Sequence, residues 1–345
     1  MLFLTGSAKR FVQVKPGSNN MAGRSGEFDL IARHFAPIAQ KSKAALSLMD
    51  DAAVLSVPDG QELVITVDAL VADVHFRSQD DPADIARKVM RVNLSDIAAM
   101  GASPLGVVLT AGYNRDLSED WIAEFANGLG QDCDAFNAPL LGGDTVGTPG
   151  PTFFSLTAFG AVPIGRALRR NAAKPGDLIA VTGTLGDGAL GLKVLQGDLS
   201  SLDHEDAAFL TSRYWVPQPR LEIGRKCVAA NRRYAAMDIS DGLAGDCRKI
   251  CAASNVGMTF DQERIPLSKA ARNAVQNDPA LWNAVFCGGD DYELLICADP
   301  NEIKKLGDDV AIIGEVTNRS GQVDLIGMDK KMAELAKGGF DHFGY

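Results

Sequence analysis

Aspartate recurs in this chain where apolar segments meet turns. It does so in Met49-Asp50-Asp51-Ala52, Val64-Ile65-Thr66-Val67-Asp68, Leu141-Gly142-Gly143-Asp144-Thr145 and Met237-Asp238-Ile239-Ser240-Asp241-Gly242. A fifth carboxylate, Asp96, stands in Val92-Asn93-Leu94-Ser95-Asp96-Ile97. One such aspartate is most simply a turn former or a helix cap. Together, if they converge, they form a nest that only cations could occupy. Hard oxygen donors without a His or Cys cluster select magnesium, manganese or calcium over zinc. Glycines before Asp144 let the backbone approach a ligand closely, and the turn around Ser240 offers amide N–H groups that favour anions. The chemistry implied is a phosphate site loaded with divalent cations.

Asp96 strengthens that reading. Asp81-Pro82-Ala83-Asp84 opens a long helix, with Asp81 as N-cap and Pro82 in the first turn. Val89, Asn93, Asp96 and Met100 then share one stripe, so Asp96 interrupts an inward-facing row. A carboxylate taken from water there must be paired, coordinated or neutralised. The familiar phosphate motifs are absent. Gly186 to Gly191 has P-loop spacing, but Leu192 stands at the lysine position, and Gly183 to Gly188 is not a dinucleotide fingerprint. Of four histidines only His75, in a loop after the Asp68 strand, is expected near the site.

The elements that must position these groups alternate without strict βαβ order. Strands are predicted over 62–71, 104–113, 151–162, 178–182, 234–239 and 310–316, and a strand–turn–strand over 283–298. Helices are predicted over 27–35, 117–137, 187–195, 220–230 and 243–253. The pattern predicts an α+β fold of two domains. Residues 25–163 would form an N-terminal domain with a mixed or antiparallel sheet and helices. Residues 164–345 would form a C-terminal α/β-sandwich domain. Residues 1–24 are expected to be a disordered extension.

Composition narrows the function classes. The 345 residues are 46% hydrophobic and 23% charged, as in a globular protein with substantial cores. A net charge of −10 argues against a broad face for nucleic acid or anionic membrane, though metal ions can mediate binding of a small phosphate ester. No stretch approaches the ~20 apolar residues needed to span a bilayer. Six cysteines without paired spacing predict reduced thiols and a cytoplasmic location.

Taken in order, these segments resemble the thiamine-monophosphate kinase family, of the superfamily that includes aminoimidazole ribonucleotide synthetase and selenophosphate synthetase. Further anchors are Gly26-Glu27-Phe28, Gly165-Arg166-Ala167-Leu168, the run from Gly288 to Leu294, and Gly339-Phe340-Asp341-His342-Phe343. The resemblance implies transfer of the γ-phosphoryl of ATP to thiamine monophosphate, several Mg2+ ions, and a homodimer formed through the N-terminal domains. It implies metal ligation by Asp51, Thr66, Val67 (through its carbonyl), Asp68, Asp96, Asp144, Asp238 and Asp241. ATP contacts would come from Gly143, Asp144, Arg170 and Ser240, and substrate contacts from His75, Asp290 and Phe340. The chain departs from the pattern at Met49, where glycine is usual, at Val67, where threonine is usual, and at Asp290, where glutamate is usual. Two alternatives stay open. One is another ATP-using member of the superfamily, although no cysteine precedes Cys133 as a selenophosphate synthetase would require. The other is a non-catalytic calcium- or nucleotide-binding module.

Overall fold

The structure is a computed structural model and describes residues 25–335. The expected extension over residues 1–24 and Phe340 lie outside the described residues. The chain begins with α1 (Glu27–Leu30) and α2 (Ala36–Ala39), joined by the π-helical stretch Ile31–Phe35 where a single α-helix is predicted from the sequence. Four strands follow: β1 (Gln61–Val71), β2 (Ser103–Asn114), β3 (Leu140–Thr148) and β4 (Phe153–Pro163). They form a mixed sheet in the order β1-β4-β2-β3, with only β2 and β3 parallel.

Helix α3 (Pro82–Ala99) starts where the sequence places it. The Asp81 carboxylate accepts from the Ala83 and Asp84 N–H groups. Thirteen of its 18 residues are buried, too many for a helix packed on one side. It lies between the N-terminal sheet and the second sheet, touching β1 and β4 on one side and β6 and β8 on the other. Helix α4 (Glu119–Ala135) packs beside it.

The second half contains β5 (Leu178–Thr182), α5 (Asp187–Gln196), α6 (His204–Trp215), α7 (Leu221–Ala229), β6 (Tyr234–Ile239), α8 (Leu243–Ser254) and β7 (Gly257–Asp261). It continues with α9 (Lys269–Asn277), α10 (Trp282–Cys287), β8 (Glu293–Ala298), α11 (Pro300–Lys305), β9 (Val310–Thr317), β10 (Val323–Ile326) and β11 (Met332–Glu334). Its seven-stranded mixed sheet runs β11-β10-β7-β9-β5-β8-β6. Both faces are covered. Leu294, Ile296 and Ala298 of β8 join the core shared with α3, whereas Leu295 and Cys297 join the core on the opposite face. The architecture is the predicted α+β with two mixed sheets.

Two local predictions fail. Residues 282–287 form α10 and not a strand, because Trp282 and Phe286 stack one helical turn apart with ring centroids at 5.4 Å. Residues 140–148 form β3, although their glycines and Asp144 suggest a turn. Parallel pairing with β2 supplies the backbone hydrogen bonds that propensity does not predict.

Candidate active site

Strand periodicity decides which carboxylates can meet. In β1 the even-numbered residues face α3: Val64 and Leu70 are buried there, and Thr66 and Asp68 share that face. In β6, Tyr234 and Ala236 join the same core, so Asp238 also faces α3. Helix α3 answers with a polar turn. Ser95 Oγ donates to Asp238 Oδ2 at 2.8 Å, Thr66 Oγ1 donates to Asp96 Oδ2 at 2.5 Å, and Asn93 Oδ1 accepts the Asp68 N–H at 3.0 Å. Buried Asn93 is also satisfied on its other side, donating to the Val89 carbonyl.

The three carboxylates open onto a cleft of about 230 Å³ between the two halves of the chain. Asp68, Asp96, Asp238, Ser240, Asp241, His75 and Asp290 all contribute to its wall. Burial, with the nearby charges of Asp96 and Asp241, pushes Asp68 up to about 6. Burial likewise raises Asp96, opposed by its Thr66 hydrogen bond and the Arg170 charge. Asp238 is 4% exposed, and burial and the Asp96 charge hold it well above the usual carboxylate range. Three acids raised together mark a place where added positive charge is strongly favoured. The donors are hard oxygens, which fits Mg2+. No group of three or more His, Cys, Asp or Glu among the described residues is close enough to hold an ion as it stands.

The turn after β6 is pinned from below. Asp246, fully buried, accepts the Ser240 and Asp241 N–H groups at 3.0 Å each. Lys249 bridges Asp241 and Asp246 at 2.5 and 2.7 Å. Across the turn, Gly289 has φ +71, and a Cβ there would stand 2.3 Å from the Ser240 carbonyl oxygen. His75 Nδ1 accepts the Val71 N–H at 3.1 Å, which fixes the ring beside the cleft. Sequence reasoning missed Asp246, Lys249, Ser95 and Lys88. Lys88 alone carried a usable signal, because it precedes Val92 and Asp96 at helical spacing on one stripe.

The remaining expected residues lie elsewhere. Asp51, Gly143 and Asp144 line a second pocket of about 490 Å³, with Thr110 and Phe35. Register explains the separation. Asp68 pairs across the sheet with Leu156, Leu109 and Gly143, while Ala69 pairs with Ser155, Thr110 and Asp144. The side chains of Asp68 and Asp144 therefore point to opposite faces. They also stand on β1 and β3, the two edges of a four-stranded sheet, roughly 14 Å apart at the usual strand spacing. Val67 points its side chain outward and is 59% exposed. Arg170 is exposed in a short 3-10 turn, where its charge reaches Asp96. Met49 adopts φ −102, so this position does not require a glycine. The pseudo-P-loop is filled by the protein itself: the Gly186 and Gly188 N–H groups donate to the buried Asp291 carboxylate.

The chain, with its two mixed sheets about α3, matches the AIR synthase related class. Residues 49–162 match its N-terminal domain family and residues 174–326 its C-terminal domain family. Within that class the chain belongs to the thiamine-monophosphate kinase family. It is 40% identical to thiamine-monophosphate kinase of Escherichia coli strain K12 over 92% of this chain and 98% of that one. The crystal structure of thiamine-monophosphate kinase from Stenotrophomonas maltophilia K279a superposes with a TM-score of 0.76, at 36% identity, covering 87% of this chain and 98% of that one. AaThiL complexed with AMPPCP and TMP superposes with a TM-score of 0.74, at 27% identity, covering 92% and 97%. No helix among the described residues is long and apolar enough to cross a membrane.

Proposed function

We propose that this protein transfers the γ-phosphoryl group of ATP directly to thiamine monophosphate, giving thiamine diphosphate and ADP. The observation that carries the reading is the cleft between the halves, where Asp68, Asp96, Asp238 and Asp241 meet His75 and Asp290. It is supported by the E. coli relative named for this activity and by the AaThiL complex with AMPPCP and TMP.

The residues present suit the chemistry. A phosphate monoester has its second pKa near 6, so the acceptor oxygen is ionised at neutral pH and needs no general base. That oxygen attacks the γ-phosphorus in line, and the bond to the β–γ bridging oxygen breaks. The barrier is the approach of two polyanions, where unit charges ~4 Å apart repel by about 4 kcal/mol at an effective dielectric near 20. Bound Mg2+ would supply the positive charge that offsets this repulsion. Asp51, Asp68, Asp96, Asp144, Asp238 and Asp241 would hold it, with Thr66 and the Val67 carbonyl. Gly143, Asp144, Arg170 and Ser240 would bind ATP. His75, Asp290 and Phe340 would receive the thiamine ring. The two domains of this reading are residues 25–163 and 164–345, and the compartment is the cytoplasm.

The reading includes a homodimer. Leu63, Ile65 and Val67 of β1 are 41%, 58% and 59% exposed, and Val146 of β3 is 42% exposed. That apolar row on a sheet face suits a second copy. Setting β1 of one copy beside β3 of the other would bring Asp68 to the second copy's Asp144, which lies at the far edge within one chain. A coupled ADP-release assay tests the activity. ADP release should require both thiamine monophosphate and Mg2+. Release at the same rate without the acceptor would leave a nucleotidase, and no release at all would leave a binding module.

A further inference from the structure

Lys88 is the one Lys or Arg among the described residues lining an otherwise acidic cleft, and it is 2% exposed. Its Nζ donates to Asp290 Oδ2 at 3.2 Å and lies 3.6 Å from the centre of the Tyr214 ring. The Tyr214 hydroxyl in turn donates to the His75 carbonyl at 3.3 Å. One lysine on α3 and one tyrosine on α6 thus join the two described residues of the expected thiamine pocket.

An ammonium so enclosed is costly unless paired. Burial lowers its pKa, and the Asp290 charge opposes that shift. The ring face below adds a cation–π contact. Asp290 itself has φ +62 and Tyr292 φ +52. Such backbone is uncommon outside glycine and persists only where the surroundings hold it. The Asp290 N–H donates to the Ser240 carbonyl, and Lys88 holds the carboxylate end. Lys88 also lies eight residues before Asp96 on the same helix, ~12 Å along its axis. That places it away from Asp96 and at the end proposed for the ring.

Resting on the functional reading above, we infer that Lys88, seated on Tyr214, is a positioning residue that aims the Asp290 carboxylate at the thiamine moiety of the acceptor, which carries a cationic thiazolium ring and an aminopyrimidine ring. It acts on acceptor affinity and not on the transfer step. Asp290 is a methylene shorter than the glutamate usual at its position, so its reach depends more on how it is anchored.

The test is steady-state kinetics of Lys88→Met, Asp290→Asn and the double variant, each checked for fold by circular dichroism. Methionine matches the lysine stem, and Asp290 is exposed enough to be hydrated when unpaired. Lys88→Met should raise KM for thiamine monophosphate about tenfold, with kcat and KM for ATP within about threefold of the parent. The double variant should be no worse than Asp290→Asn alone. Lys88→Gln, measured in parallel, should give the same KM-against-kcat split and covers poor packing of the methionine. Unchanged KM for the acceptor, a loss confined to kcat, or independent multiplication of the two single effects would each overturn the inference. A parent enzyme without acceptor-dependent turnover would instead sink the functional reading before any variant is compared.

Discussion

Asp68 shows most directly how this protein trades stability for a site. Its side chain is on the inward face of β1, and burial with the Asp96 and Asp241 charges raises it to about 6. A carboxylate raised by folding keeps its proton longer in the native state than in the unfolded chain. Its contribution therefore becomes more favourable as pH falls from about 6 toward 4, and it opposes folding above 6. Asp68→Asn removes that opposition. In metal-free protein the variant should be more stable at pH 8 by at most about 3 kcal/mol, with the gain fading near pH 4. Its kinase activity should be lost. Thermal melts at the two pH values check this, and identical melting of parent and variant at pH 8 would show that Asp68 carries no such burden. A gain in stability with loss of activity is the pattern expected of a residue kept for function.

At the scale of elements, the turn after β6 and the segment entering β8 form one unit. The Asp290 N–H bonds to the Ser240 carbonyl, and the Tyr292 N–H bonds to the Ile239 carbonyl. Gly289, just before Asp290, has positive φ and sits against the Ser240 carbonyl oxygen. Gly289→Ala should lower stability by about 1–3 kcal/mol. It should reduce kcat/KM at least about tenfold, because both the Ser240 turn and Asp290 must move. Parent-like melting and kinetics would show that the unit is soft. The same unit shows what could be read in advance. The strand carrying Asp238 was legible from its apolar run and the Asp241-Gly242 turn, and α3 from its cap and stripe. The helix over 282–287 was not, because Val285 and Phe286 favour strands until Trp282 and Phe286 find each other one turn apart. Strand β3 was illegible for a related reason: its pairing partner, β2, begins 37 residues earlier. Asp246 was hidden because a carboxylate in a first helical turn looks like ordinary capping. Only the fold shows that it accepts the Ser240 and Asp241 amides of the turn after β6.

At the scale of the molecule, the acids do not all meet within one chain. Asp68, Asp96, Asp238 and Asp241 share the cleft, while Asp144 lies on the other face and at the opposite edge of the N-terminal sheet. Ligand-driven movement within one chain would have to carry an edge strand around its own sheet, which the β2 and β4 pairings resist. A second copy removes the edge separation, since it can present its β3 edge to the β1 edge of the first. The proposed dimer then predicts complementation between two inactive variants. Asp68→Asn and Asp144→Asn, each inactive alone, should regain activity when unfolded together and refolded as a mixture. Half of the dimers would be mixed, and each mixed dimer would hold one site with both aspartates intact. The mixture should therefore recover about a quarter of parental activity. If each site is built within a single chain, every site in the mixture carries one defect and no activity returns. Sedimentation of the parent must show a dimer in the same buffer, because a monomer with full activity would refute the shared site without any variant.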